Sequence, residues 1–96
     1  NYRQLKKSEI ESLGKLFWNT CKSAKNVDEL TRFIEGLLLP SEKIMVARRI
    51  KIAKEIIAKK PQTKIQVEMH VGQSTVDSVE EWLAKSGPEV ERILSK

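Results

Sequence analysis

QTKIQVEMHVGQSTVDSVEEWL, residues 62–83, is the stretch whose apolar spacing decides the architecture. Ile65 and Met69 stand four apart, Val71 follows after a short break, and Val76 and Val79 stand three apart. Two short helices packed steeply around a tight turn need apolar side chains at such fixed positions. His70 falls where the turn requires a left-handed backbone, a conformation that favours glycine but that histidine tolerates at some strain. Gln66 occupies a position where a small residue normally lets the two helices touch, so looser packing is expected there. The segment reads as a helix-turn-helix.

Working outward, the rest of the chain also reads helical, with Pro40, Pro61 and Gly87-Pro88 as the clear breaks. Ser8 and Glu11 have the spacing of a capping box, and Ile10, Leu13, Leu16, Phe17, Cys21 and Ala24 follow at helical intervals. Asn26 and Glu29 start a second helix with an inner face of Leu30, Phe33, Ile34, Leu37 and Leu38. A short helix over 88–95, carrying Val90, Ile93 and Leu94, ends the chain as a core or dimer element. About six helices in one domain over residues 1–96 are expected, an all-α fold.

The helix expected over 41–59 is the most regular. At about 100° per residue, Val46, Ile50, Ala53 and Ile57 share one stripe, and Met45, Ile52 and Ile56 an adjoining one. So wide an apolar face suits a central helix with several neighbours, a second subunit among them. Arg48, Lys51 and Lys54 lie opposite, but Arg49 falls between the two apolar stripes. A guanidinium there needs a partner, because an unpaired buried charge is costly. The expected partner is Glu35, Glu42 or a carboxylate of another chain. The alternative is an anionic or carboxylate ligand.

The chain has 96 residues, 40% apolar and 32% charged, which fits a globular protein better than a disordered one. Its net charge of +5 is unevenly distributed. Residues 43–64 hold eight basic groups against Glu55 alone, whereas residues 65–96 hold three basic and six acidic groups. A basic block leading into the helix-turn-helix can steer a polyanion by its field. The plainer alternative is a solvated face. One cysteine, Cys21, excludes an internal disulfide and agrees with a reducing cytoplasm. No run approaches a membrane span and no signal peptide is evident; the start at Asn1 fits a trimmed natural beginning.

These features point to nucleic acid. In this motif class the second helix enters the major groove of double-stranded DNA, and its first residues reach base edges. Here they are Gln73, Ser74 and Thr75, with Ser78 one turn on. Glutamine can pair with adenine through two hydrogen bonds, and serine or threonine can meet bases or phosphates. Lys59, Lys60 and Lys64 would anchor phosphates. The acidic Asp77, Glu80 and Glu81 argue for the alternative that the motif serves packing alone, as a protein–protein module.

The stretch LLLPSEKIMVARRIKIAKEII, followed by the helix-turn-helix, resembles the Trp repressor superfamily. It is more similar to the Trp-repressor-related proteins of the YerC/YecD type than to the tryptophan-sensing repressor, and the likeness runs from about Leu16 to the C-terminus. The resemblance implies an intertwined homodimer, a cytoplasmic location and a transcription regulator with two reading heads in successive major grooves. Tryptophan-sensing members hold their ligand between two arginines, helped by a threonine. Arg49 matches the first arginine, Ser78 stands at the second, and Leu39 replaces the threonine. Losing one guanidinium removes about 1.5–3 kcal/mol of charge-assisted contact. Tryptophan is therefore not expected to bind well, and Arg49 is read as structural or as the contact of another ligand.

Trp18 and Trp82 fall on inner helix faces and are read as core or interface residues. His70 and Cys21 are too far apart in sequence to suggest a metal site, and no cofactor is expected. No nucleophile-base set, glycine-rich phosphate loop or carboxylate pair suggests an enzyme.

Overall fold

The computed structural model describes residues 4–96; Asn1 lies outside them. Every regular element among the described residues is a helix: α1 Lys7–Cys21, α2 Val27–Leu37, α3 Pro40–Ile57, α4 Gln62–Met69, α5 Gln73–Lys85 and α6 Pro88–Leu94. The all-α expectation holds, with six helices. The chain divides into two compact units, the first ending at Leu39 and the second spanning Pro40–Lys96.

In the first unit the cap of α1 lies two residues earlier than expected from Ser8 and Glu11. The Lys6 backbone N–H donates to Glu9 Oε1 at 3.3 Å, so the carboxylate one turn in from Lys6 sets the start. The start of α2 is as read: Glu29 N–H donates to Asn26 Oδ1 at 2.8 Å, and Lys25 N–H donates to Glu29 Oε1 at 2.9 Å. The two bonds satisfy amides that a helix leaves free at its first turn. Neither helix contains a buried residue. The inner faces read from spacing are real stripes, yet Ile10, Leu13, Leu16, Phe17, Trp18, Phe33 and Leu37 all remain exposed. Phe17 and Trp18 meet only edge to face, with ring centroids 4.9 Å apart.

The second unit has a core. Ile52 and Ala53 of α3, Ile65 of α4, Val76 and Val79 of α5, and Leu94 of α6 are buried together. Ile56, Ile57, Met69, Val71, Leu83 and Val90 pack around them. The α3 helix contacts α4, α5 and α6, as its wide apolar face requires. Burial is confined to its C-terminal half, however; Ile44, Met45, Val46 and Ile50 stay exposed.

Two left-handed residues shape this unit. α3 was expected to run to Lys59 but ends at Ile57, because Lys59 turns to φ 67°. The Lys59 N–H then donates to Ile56 O at 2.9 Å and the Lys60 N–H to Glu55 O at 3.1 Å, closing the helix end with a paired-bond cap. His70 closes α4 in the same way, at φ 55° and ψ 47°, and Val71 N–H donates to Gln66 O at 3.1 Å. The turn is left-handed where its histidine suggested. Pro40 opens α3 rather than merely preceding it, since the first helical position needs no N–H donor. At the far end Lys54 Nζ donates to the Lys96 backbone oxygen at 2.9 Å, tying α3 to the C-terminus.

Candidate nucleic-acid interface

The reading head consists of α4, the turn at His70 to Gly72, and α5. Ile65, Val76 and Val79 are fully or almost fully buried, which seats both helices on α3. This burial leaves one stripe of α5 facing outward: Gln73, Ser74, Asp77, Ser78 and Glu81 are all exposed. Three of the four expected base-contacting residues lie there. Thr75 does not share that stripe. It is half-buried and lines a cleft with Val71 and with Ser41, Ile44, Met45, Arg48, Arg49 and Ile52 of α3.

The exposed stripe carries a connected set of polar side chains. Gln73 Nε2 donates to Gln62 Oε1 at 2.6 Å and to Asp77 Oδ1 at 2.8 Å. Gln66 Nε2 in turn donates to Gln73 Oε1. Gln66, which suggested loose packing by its size, therefore bridges the two helices through its amide. Spacing alone did not reveal the set, although Gln62/Gln66 and Gln73/Asp77 are each a turn apart and face each other once the turn is built.

The three lysines expected at phosphates sit differently from one another. Lys59 is exposed in its left-handed position after α3, and Lys64 is exposed on α4. Lys60 is held inside the head: its ammonium lies 3.1 Å from Glu55 Oε1 and 2.6 Å from Glu68 Oε2. The hydrogen bonds to Glu68 and Glu55 raise the Lys60 pKa above its ordinary value, and the bond from Lys60 holds Glu68 below its own. Glu55 Oε2 is buried without a hydrogen-bond partner, so Lys60 is what compensates that carboxylate. Lys60 thus pins the end of α3 to α4. Sequence reasoning missed this because Glu55 and Glu68 lie five and eight residues away on different helices.

Arg49 is exposed on α3. It borders two clefts. One, of about 390 Å³, is the cleft shared with Thr75. The other, of about 250 Å³, is formed with Val46, Ile50, Val79 and Trp82. Trp82 is accordingly not a core residue of this chain, being 46% exposed.

Among the described residues no helix is long and apolar enough to cross a membrane, and no group of three or more His, Cys, Asp or Glu side chains could hold a metal ion. Neither the curated proteins nor the solved structures compared with the chain gave a match. The family model described as Trp repressor protein matches residues 11–96, which takes in α2 to α6, most of α1 and the whole reading head. Members of that family are DNA-binding helix-turn-helix regulators rather than enzymes. With six helices among its described residues, a left-handed turn at His70 and a match over nearly its full length, the chain belongs to the Trp repressor family.

Proposed function

We propose that this chain is a sequence-specific transcription regulator that works as a homodimer on a two-fold-symmetric DNA site. The observation that carries this reading is the exposed stripe of α5, held outward by a head whose apolar side is buried on α3. Gln73, Ser74 and Ser78 would face bases in the major groove, with Thr75 at the edge of the contact. Lys59 and Lys64 would meet phosphates directly. Lys60 would reach a phosphate only by releasing Glu68, and its first task is to brace the head. The unit of function is one Trp-repressor-like domain over residues 1–96, completed by a second copy in an intertwined pair. The exposed apolar side chains of α1, α2 and the first half of α3 support that pairing.

The test is retardation of duplex DNA across a salt series. Several phosphate contacts make log K fall steeply with log[salt], by about 0.9 per contact. A flat response, or no retardation, would favour a protein–protein module that kept the fold alone.

Tryptophan is not the expected effector, in keeping with a YerC/YecD-type member. Ser78 cannot supply a second guanidinium opposite Arg49, and Leu39 offers no hydroxyl. Gating by another small ligand is favoured by the cleft of about 390 Å³ beside Arg48 and Arg49. Its size is in the range of small-molecule sites. Calorimetry with L-tryptophan separates the two cases: millimolar or tighter binding would overturn the tryptophan exclusion.

A further inference from the structure

The amide of Gln73 is oriented by its neighbours before any DNA arrives. An aspartate at neutral pH offers acceptors only, so the nitrogen of Gln73 must face Asp77, and it donates to Asp77 Oδ1 at 2.8 Å. Its other N–H donates to Gln62 Oε1 at 2.6 Å. Both donors of the amide are thereby engaged. The Gln73 oxygen accepts from Gln66 and keeps one lone pair, and Asp77 keeps its second oxygen. Gln73 and Asp77 lie one turn apart on the exposed stripe, so what they turn outward is a pair of acceptors.

This arrangement changes what Gln73 can read. A glutamine recognises adenine by donating to N7 while accepting from N6. With both N–H groups engaged, the donor half of that pairing is missing. Cytosine presents only its N4 amino group among hydrogen-bonding groups in the major groove, and its one free N–H can donate to either acceptor while it sets no lone pair against the other. Adenine sets its N7 lone pair against the carboxylate, and thymine and guanine offer carbonyl oxygens.

Resting on the reading of α5 as the recognition helix, we propose that Asp77 is a specificity-determining positioning residue. It fixes the amide of Gln73 so that the Gln73–Asp77 pair selects cytosine at one position of each half-site. Gln62 and Gln66 hold the same orientation from α4. The acidity of the recognition helix is thus part of its reading surface at Asp77.

The test is in vitro selection from a random duplex pool with the wild-type protein, Asp77→Asn and Gln62→Met. Asp77 is exposed and Gln62 half-buried, and thermal melting followed by circular dichroism confirms that each variant folds. The wild type is expected to select a C·G pair at one position of each half-site. Asp77→Asn, which can present either an amide or an oxygen, lowers that preference at least fivefold and leaves the other positions unchanged. Gln62→Met frees one N–H of Gln73 and shifts the same position toward A·T. If Asp77→Asn raises affinity for every sequence equally with the consensus intact, Asp77 acts by charge alone and the proposal is overturned, while α5 remains the recognition helix. A wild type that selects no consensus overturns the proposal together with the reading beneath it.

Discussion

Lys59 and His70 are the two non-glycine residues with left-handed backbone among those described; Lys59 follows the end of α3 and His70 ends α4. An L-side chain in that region costs about 1 kcal/mol or more relative to glycine. Lys59→Gly and His70→Gly should therefore each stabilise the fold by about 0.5–1 kcal/mol, seen as a higher urea midpoint at unchanged slope. DNA binding separates the two. Lys59→Gly removes an exposed cation at the entrance to the head and should weaken binding to all sequences about equally, with a shallower salt dependence. His70→Gly should leave affinity unchanged. Equal affinity loss in both variants would place the effect in the backbone and not in the lysine charge.

At the scale of the element, α4 depends on one apolar anchor and one ionic brace. Ile65 is fully buried between α3 and α5, and Ile65→Ala should cost about 2–5 kcal/mol in denaturant unfolding. The brace is Lys60 between Glu55 and Glu68. Glu68 titrates below its ordinary value, so its contribution is present above the usual carboxylate range and is lost as pH falls through the lowered pKa. Lys60 titrates above its ordinary value, so its contribution is complete below the usual ammonium range and is lost only as pH rises through the raised pKa. This brace therefore contributes no pH dependence near neutrality and weakens in strong acid and strong base. Glu68→Gln should flatten part of the acid limb of a stability–pH profile; an unaltered limb would show that the pair is idle. Lys60→Ala should lower stability as well as DNA affinity, because it strands the half-buried Glu55.

For the whole molecule, the decisive fact is how little of its apolar surface one chain buries. Among the described residues six hydrophobic side chains form the core, and all belong to α3, α4, α5 and α6. α1 and α2 bury none, although Leu13, Leu16, Phe17, Phe33 and Leu37 recur at helical spacing. A homodimer would give those faces a core. Sedimentation should find dimers at micromolar concentration, and Leu13→Asp should weaken association by at least tenfold and DNA binding with it. A monomer that binds DNA with wild-type affinity would contradict this assembly.

Much of this was legible in the chain itself. Ile65, Met69, Val71, Val76 and Val79 define the helix-turn-helix because apolar periodicity records which face a helix buries. His70 marks the turn because few residues accept its backbone. The same periodicity marks the faces of α1 and α2, but it cannot say what covers them; that Trp82 and Phe33 stay open in one chain is visible only in three dimensions. Polar partnerships were hidden for a related reason. Lys60 meets Glu55 of α3 and Glu68 of α4, and Gln73 meets Gln62 and Gln66 of α4 besides Asp77 on its own helix, so the packing of the helices sets which side chains come within 3 Å or so. Burial follows a repeating pattern along the sequence and can be read from it. Hydrogen bonds and ion pairs depend on distances between helices, so only the tertiary structure decided which lysine is engaged internally and which way the glutamine of the reading head is turned.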